Sequence, residues 1–222
     1  MSTALKQYFV ITGNYWAFTL TDGALRMLVV LYFHDLGYSP LSIALLFLFY
    51  EIFGVITNLV GGWLGAHLGL NRTMNIGLAL QIAALTMLLV PTGWLTVPWV
   101  MAVQALSGIA KDLNKMSAKS GIKLLVSDEA QDTLYKWVAI LTGSKNAVKG
   151  LGFLLGAALL GLWGFTPSIW VMAAVLAVIL IGVVAFMPSG LPQGKKSAKF
   201  SQVFSKDINI NRLSLARMFL FG

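Results

Sequence analysis

Long apolar runs alternate with short turn-forming segments along this sequence. Six of the runs are long enough to cross a bilayer, since a helix needs about 20 apolar residues to span the hydrocarbon. We place these spans at residues 8–33, 41–65, 74–93, 97–117, 134–162 and 168–187. The links between them are short and contain Gly and Pro, and such links connect antiparallel neighbours. The pattern predicts an all-α membrane protein with six transmembrane helices.

The pattern changes after the sixth span. Residues 188–212 contain Pro, Gly, Ser and several basic residues, which predicts a basic cytoplasmic linker. The apolar residues 213–222 reach about 15 Å as a helix, about half of the hydrocarbon thickness, and predict the truncated start of a seventh span. We therefore expect residues 1–187 to form the N-terminal bundle of a transporter with two six-helix bundles. A six-span channel is the alternative architecture.

Composition and charge agree with a membrane location. The chain is 58% hydrophobic and 11% charged, whereas a soluble domain carries about 25% charged residues. Lys and Arg in the connections number ten on one side and none in the three outer loops, which predicts a cytoplasmic N-terminus in the inner cell membrane. This topology accounts for the net charge of +8, so we expect the lipid bilayer as a partner and no nucleic acid.

The sequence offers little for catalysis. It contains no cysteine, and its two histidines, His34 and His67, lie far apart, so we expect no metal site. It also has no phosphate-binding glycine loop, dinucleotide fingerprint or nucleophile elbow. We expect neither a cofactor nor catalytic residues, and the protein is not predicted to be an enzyme.

Ionisable residues inside the predicted spans are the informative ones, because each costs at least a few kcal/mol at bilayer depth. In the first span Asp22 and Arg26 are one turn apart, on the face that also presents Tyr15 and Thr19. One interpretation is a cavity wall whose arginine binds an anion or whose aspartate carries a proton. The other is a structural ion pair between these two side chains.

The fourth and fifth spans repeat this pattern. Gln104, Ser107, Lys111 and Lys115 follow helical spacing in the fourth span, with Asp112 beside them. Lys115 lies near the end of that span, where a lysine can instead extend to the membrane surface.

In the fifth span Lys145 and Lys149 are one turn apart near the middle of the apolar run, with Asn146 beside them. The alternative is that this helix begins later than residue 134, which would bring both lysines closer to the membrane surface.

Together the predicted interior carries five basic and three acidic groups, an excess of two positive charges. Arginine and lysine suit phosphate and carboxylate groups, so the excess predicts a small-molecule organic polyanion as the solute. The predicted anion contacts are Arg26, Lys111, Lys115, Lys145 and Lys149. The predicted proton sites or charge partners are Asp22, Glu51 and Asp112. The predicted polar lining is Tyr15, Thr19, Gln104, Ser107 and Asn146. The spacing of Gly152 and Gly156 predicts close helix packing.

Between the second and third spans, Gly62, Leu64, Gly69 and Arg72 in GGWLGAHLGLNR resemble the loop motif of the major facilitator superfamily. The position that usually holds an aspartate is Ala66, so the copy is incomplete. The resemblance implies a secondary transporter whose first and fourth helices line a central cavity.

Residues 14–31, 47–81, 105–125 and 134–150 resemble the ArsJ-type organoarsenical efflux permeases within that superfamily. This resemblance implies export of 1-arseno-3-phosphoglycerate, resistance to arsenate, and a functional link to the glyceraldehyde-3-phosphate dehydrogenase that makes the ester. Two alternatives stay open: transport of a sugar phosphate or organic acid, and a non-transporting membrane scaffold.

Overall fold

The computed structural model describes residues 3–126, 130–186 and 207–221. All regular elements in these residues are helical, which confirms the predicted fold class. The α-helices are α1 (Thr3–Asp35), α2 (Pro40–Leu46), α3 (Leu48–Leu68), α4 (Leu70–Met87), α5 (Val97–Leu125), α6 (Gln131–Trp163), α7 (Phe165–Phe186) and α8 (Ile208–Phe221). A short 3-10 helix, Thr92–Trp94, precedes α5.

Within the described residues, four helical segments are long and apolar enough to cross a membrane by length and composition: Ala4–Asp35, Pro40–Asn58, Gln131–Trp163 and Phe165–Ala185. All six predicted spans differ from the helices in at least one bound; the fourth, 97–117, continues to Leu125 in α5, and the second and third differ as follows. The second, 41–65, is divided at Phe47 between α2 and α3. The third was predicted to reach residue 93, but α4 ends at Met87. Pro91 follows four residues later, and proline has no N–H with which to continue a helix.

The predicted linker falls largely outside the described residues, because residues 187–206 are not among them. The linker was predicted to extend to Arg212, but the chain is helical from Ile208 onward. Asp207 explains this start, since its carboxylate accepts a hydrogen bond from the backbone N–H of Asn209 at 2.8 Å. Side-chain oxygens at this position commonly begin helices. The division into bundle, linker and seventh span stays a prediction.

The packing pairs helices across two halves of the bundle. α1 packs most extensively against α6, and α3 against α5, while α4 contacts α5 and α7. If α2 and α3 are counted as one span, the α1–α6 pair joins the first span to the fifth, and the α3–α5 pair joins the second span to the fourth. Exchanging two three-helix repeats converts one pair into the other, which is the arrangement expected of inverted repeats.

Glycines allow these close approaches. A Cβ placed on Gly152 would collide with the Leu20 carbonyl, and one on Gly156 would collide with the backbone of Ala24. The predicted packing role of Gly152 and Gly156 is therefore confirmed. Between α3 and α5, a Cβ on Gly108 would overlap the backbone of Tyr50. This contact brings α3 and its polar residues directly against α5.

Candidate functional site

A cavity of about 160 Å³ lies between α1, α3, α5 and α6. Nearly all of its wall consists of residues that the sequence pattern singles out; Phe18 is the exception. The lining residues are Tyr15, Phe18, Thr19, Asp22, Arg26, Glu51, Lys111, Lys115, Lys145 and Lys149. Residues from four separate helices thus form one charged site. Their role in binding a solute stays a prediction.

The cavity residues of α1 and of α6 recur at intervals of three or four residues, so those of each helix lie on one face of it. On α1, the hydroxyl of Thr19 donates to the carbonyl of Tyr15 at 2.7 Å, which holds this polar side chain along its own helix. α6 begins at Gln131, so Lys145 lies 14 residues inside the helix (145 − 131), or about 21 Å along its axis. The alternative of a later helix start is wrong, and Lys145 and Lys149 lie well inside the helix.

Asp22 and Arg26 do not pair with each other. Arg26 Nη2 lies 2.7 Å from Glu51 Oε1 on α3. Asp22 is buried, and its two carboxylate oxygens accept from the hydroxyl of Tyr50 at 2.7 and 2.9 Å. The interpretation as an Asp22–Arg26 ion pair is therefore wrong, because α3 supplies a separate partner for each side chain.

Tyr50 is the central residue that the sequence reasoning missed. Its side chain is fully buried, and two cations lie over its ring. The guanidinium carbon of Arg26 is 3.8 Å and the Lys111 ammonium 4.2 Å from the ring centroid. Aromatic faces attract cations at such distances. The sequence contained a signal for Tyr50, which lies next to Glu51 within an apolar span. A buried tyrosine hydroxyl usually finds a hydrogen-bond partner, so Tyr50 could have been expected to contact a polar group.

Lys111 and Lys115 share acidic neighbours. The Lys111 ammonium lies 3.7 Å from Glu51 Oε2 and 3.6 Å from Asp112 Oδ2. The Lys115 ammonium lies 3.2 Å from Asp112 Oδ1. Asp112 is buried and bridges the two lysines from behind the cavity wall. Lys115 therefore lines the cavity.

The two lysines of α6 that line the cavity, Lys145 and Lys149, lack such neighbours. Among the described residues, neither Lys145 nor Lys149 has a carboxylate oxygen within 4.0 Å, in contrast to the other three cations of the cavity. The Lys149 ammonium lies 5.8 Å from the ring centroid of Phe153. The excess of two positive charges, five basic groups against Asp22, Glu51 and Asp112, is thus concentrated on α6.

Three residues predicted to line the cavity do not line it. Gln104 and Ser107 are fully buried, and the Ser107 hydroxyl donates to Gln81 Oε1 on α4 at 2.8 Å. Both lie toward the N-terminal end of α5, where α4 covers the helix. Asn146 is exposed, because a position next to Lys145 is rotated by about 100° around the helix.

The loop-motif residues lie away from the cavity, at the junction of α3 and α4. Gly62 is within α3, Arg72 is exposed on α4, and Gly69 separates the two helices. Gly69 has φ 85° and ψ 147°, a conformation that is almost restricted to glycine. The carbonyl of Gly69 then accepts from the backbone N–H and the hydroxyl of Thr73. Gly69 therefore makes the turn that reverses the chain.

Comparison with known proteins is informative about the fold. A family model described as Major Facilitator Superfamily matches residues 10–221. A peptide transporter POT, crystallised in complex with sulfate, matches with 17% identity and a TM-score of 0.74, over 97% of this chain and 44% of that one. A mutant of it in complex with alafosfalin matches with 17% identity and a TM-score of 0.70, over 98% and 46%. No curated protein matches the chain. The chain thus spans less than half the length of these transporters, and at such identity the likeness concerns the fold alone.

Proposed function

Because the chain belongs to the major facilitator superfamily, we propose that it forms the N-terminal half of a secondary transporter that exports an organic polyanion. In this proposal, residues 1–187 form one six-helix bundle in the inner cell membrane, with the N-terminus in the cytoplasm. The cavity between α1, α3, α5 and α6 is half of the solute site. The basic segment 188–212 connects it to a second bundle.

The observation that carries the proposal is the uncompensated charge of Lys145 and Lys149. Each lies deep within α6 and lines the cavity without a carboxylate within 4.0 Å among the described residues. A cation at bilayer depth is costly unless something compensates its charge. An anionic solute supplies that compensation, and a cationic solute would be repelled.

The proposed solute is 1-arseno-3-phosphoglycerate, and its export gives resistance to arsenate. The support is the resemblance to the ArsJ-type permeases together with the charge of the cavity. This solute carries phosphate, arsenate and carboxylate groups, which match several cations better than a single anionic group would. A glyceraldehyde-3-phosphate dehydrogenase would supply it inside the cell. Arg26 suits one oxyanion through two parallel hydrogen bonds, and the lysines act as point charges.

The test uses the full-length protein, expressed together with the dehydrogenase in arsenate-sensitive cells. We expect Lys145→Gln and Lys149→Gln each to abolish the resistance that the unmodified protein confers. Lys136→Gln is the matched control, because Lys136 is on the same helix but is exposed and does not line the cavity. Unchanged resistance in both cavity variants, at equal protein level in the membrane, would remove these lysines from the mechanism.

The charge of the cavity also supports a second candidate, a transporter of a sugar phosphate or organic acid without arsenic. Membrane vesicles containing the full-length protein distinguish the two. Transport of labelled 3-phosphoglycerate in the absence of arsenate favours the second candidate. Failure to move either solute, with the protein intact in the membrane, favours a non-transporting scaffold.

A further inference from the structure

We infer that Glu51 is an internal competitor of the solute: its carboxylate holds the anion position between Arg26 and Lys111, and an oxyanion group of the solute displaces it. This inference rests on the proposed function and adds how the site recognises its solute. It gives Glu51 a role in affinity and in turnover.

The carboxylate of Glu51 bridges the two cations Arg26 and Lys111. Its Oε1 lies 2.7 Å from Arg26 Nη2, and its Oε2 lies 3.7 Å from the Lys111 ammonium. The two oxygens of one carboxylate therefore contact two cations from different helices, α1 and α5. Any solute group with two oxygens on one atom, such as phosphate, arsenate or carboxylate, can reproduce this contact. A monatomic anion cannot.

Glu51 lies on the exposed side of the two cations. Its side chain is 52% exposed, whereas those of Arg26 and Lys111 are 19% and 24% exposed. The carboxylate thus lies on the open side of its cations, where a solute would approach. A partly exposed ion pair contributes little free energy, so displacing Glu51 is feasible for a solute that brings more than one charge.

Arg26 and Lys111 also have contacts other than Glu51. The ring of Tyr50 lies behind both, at 3.8 Å from Arg26 and 4.2 Å from Lys111, and Asp112 holds Lys111 as well. Glu51 also leaves part of the guanidinium unused. Arg26 Nε is buried and makes no hydrogen bond within the described structure. Displacement of Glu51 therefore leaves both cations with other contacts inside the protein.

These contacts specify the solute class further. One oxyanion group competes with Glu51 at Arg26 and Lys111, while the unpaired Lys145 and Lys149 attract a second. The site therefore favours solutes with two or more oxyanion groups over those with one. Once the solute leaves, Glu51 can return to its position between Arg26 and Lys111.

The binding test compares the full-length wild-type protein with Glu51→Gln, using 3-phosphoglycerate as the probe in isothermal titration. We expect the substitution to tighten binding by about fivefold, within the range that partly exposed ion pairs contribute. Glu51→Asp shortens the side chain and keeps its charge, so we expect a smaller gain. Asp35→Asn is the control, because Asp35 is an exposed residue at the end of α1.

The transport test uses vesicles, where a purely structural role predicts a parallel loss of all activity. We expect Glu51→Gln to reduce net efflux strongly and to retain exchange of internal for external solute. During exchange a solute anion is bound whenever the cavity reorients, whereas net efflux requires the empty cavity to reorient, and in Glu51→Gln it would do so with no carboxylate beside Arg26.

The outcomes separate the two proposals. If the wild-type protein binds 3-phosphoglycerate and Glu51→Gln and Glu51→Asp bind it equally or more weakly, the competitor role is wrong and the proposed function stands. A parallel loss of net efflux and exchange in Glu51→Gln also contradicts the competitor role. If the wild-type protein neither binds nor transports 3-phosphoglycerate and also gives no arsenate resistance when expressed with the dehydrogenase, the proposed function fails and the inference fails with it.

Discussion

Removal of the Tyr50 hydroxyl tests the organisation of the site most directly. In Tyr50→Phe the ring that contacts Arg26 and Lys111 is kept, but Asp22 loses the donor that lies 2.7 and 2.9 Å from its two oxygens. Asp22 is only 4% exposed, so water cannot replace that donor fully. A lost hydrogen bond to a charged group costs about 1.5–3 kcal/mol. For 222 residues this loss would lower the unfolding temperature by about 3–12 °C, and the shift should be smaller in the longer full-length protein.

The assay is thermal unfolding of the purified full-length protein in detergent, for wild type, Tyr50→Phe, Asp22→Asn and the double variant. If the hydroxyl stabilises the protein through Asp22, Tyr50→Phe should lower the free energy of unfolding by only about 1 kcal/mol in the Asp22→Asn background, where residue 22 is neutral. Tyr135→Phe is the control, because the side chain of Tyr135 on α6 is 76% exposed and should tolerate the change.

Two results would refute this reasoning. An unchanged unfolding temperature in Tyr50→Phe would show that Asp22 does not depend on the hydroxyl. An equal loss in the wild-type and Asp22→Asn backgrounds would show that Tyr50 stabilises the bundle independently of the carboxylate.

Two further predictions concern glycines. Gly156→Ala should destabilise the protein by about 1–3 kcal/mol in the same unfolding assay, because its Cβ would lie 2.8 Å from Ala24 Cα across the α1–α6 interface; retention of wild-type stability would contradict the close contact. Gly69→Ala should also cost about 1–3 kcal/mol, because φ of 85° and ψ of 147° are strained for any other residue, and equal stability would exclude that turn geometry. Gly161→Ala is the control for both, since nothing lies within 4 Å of a Cβ at this α6 position.

Much of the site could be predicted because a helix repeats every 3.6 residues. Asp22 with Arg26, and Lys145 with Lys149, must share a face of their helices whatever surrounds them. The cost of charge in a membrane then directed attention to these residues. The same reasoning applied to Gln104 and Ser107 failed. Gln104 is seven residues before Lys111, so it lies on the same face of α5. It is, however, about 10 Å closer to the N-terminal end of the helix, where α5 packs against α4 and not against the cavity.

The sequence by itself therefore determined the all-helical fold, the positions of the charged groups and the excess of positive charge, because these depend on composition and on periodicity within one helix. Tertiary structure alone decided the partners. Arg26 pairs with Glu51 and not with Asp22, and Tyr50 binds Asp22, because α3 packs against α5 through Gly108 and so places its polar residues beside α1. Contacts between helices depend on depth and rotation together, and no local pattern in one helix encodes the position of its neighbour.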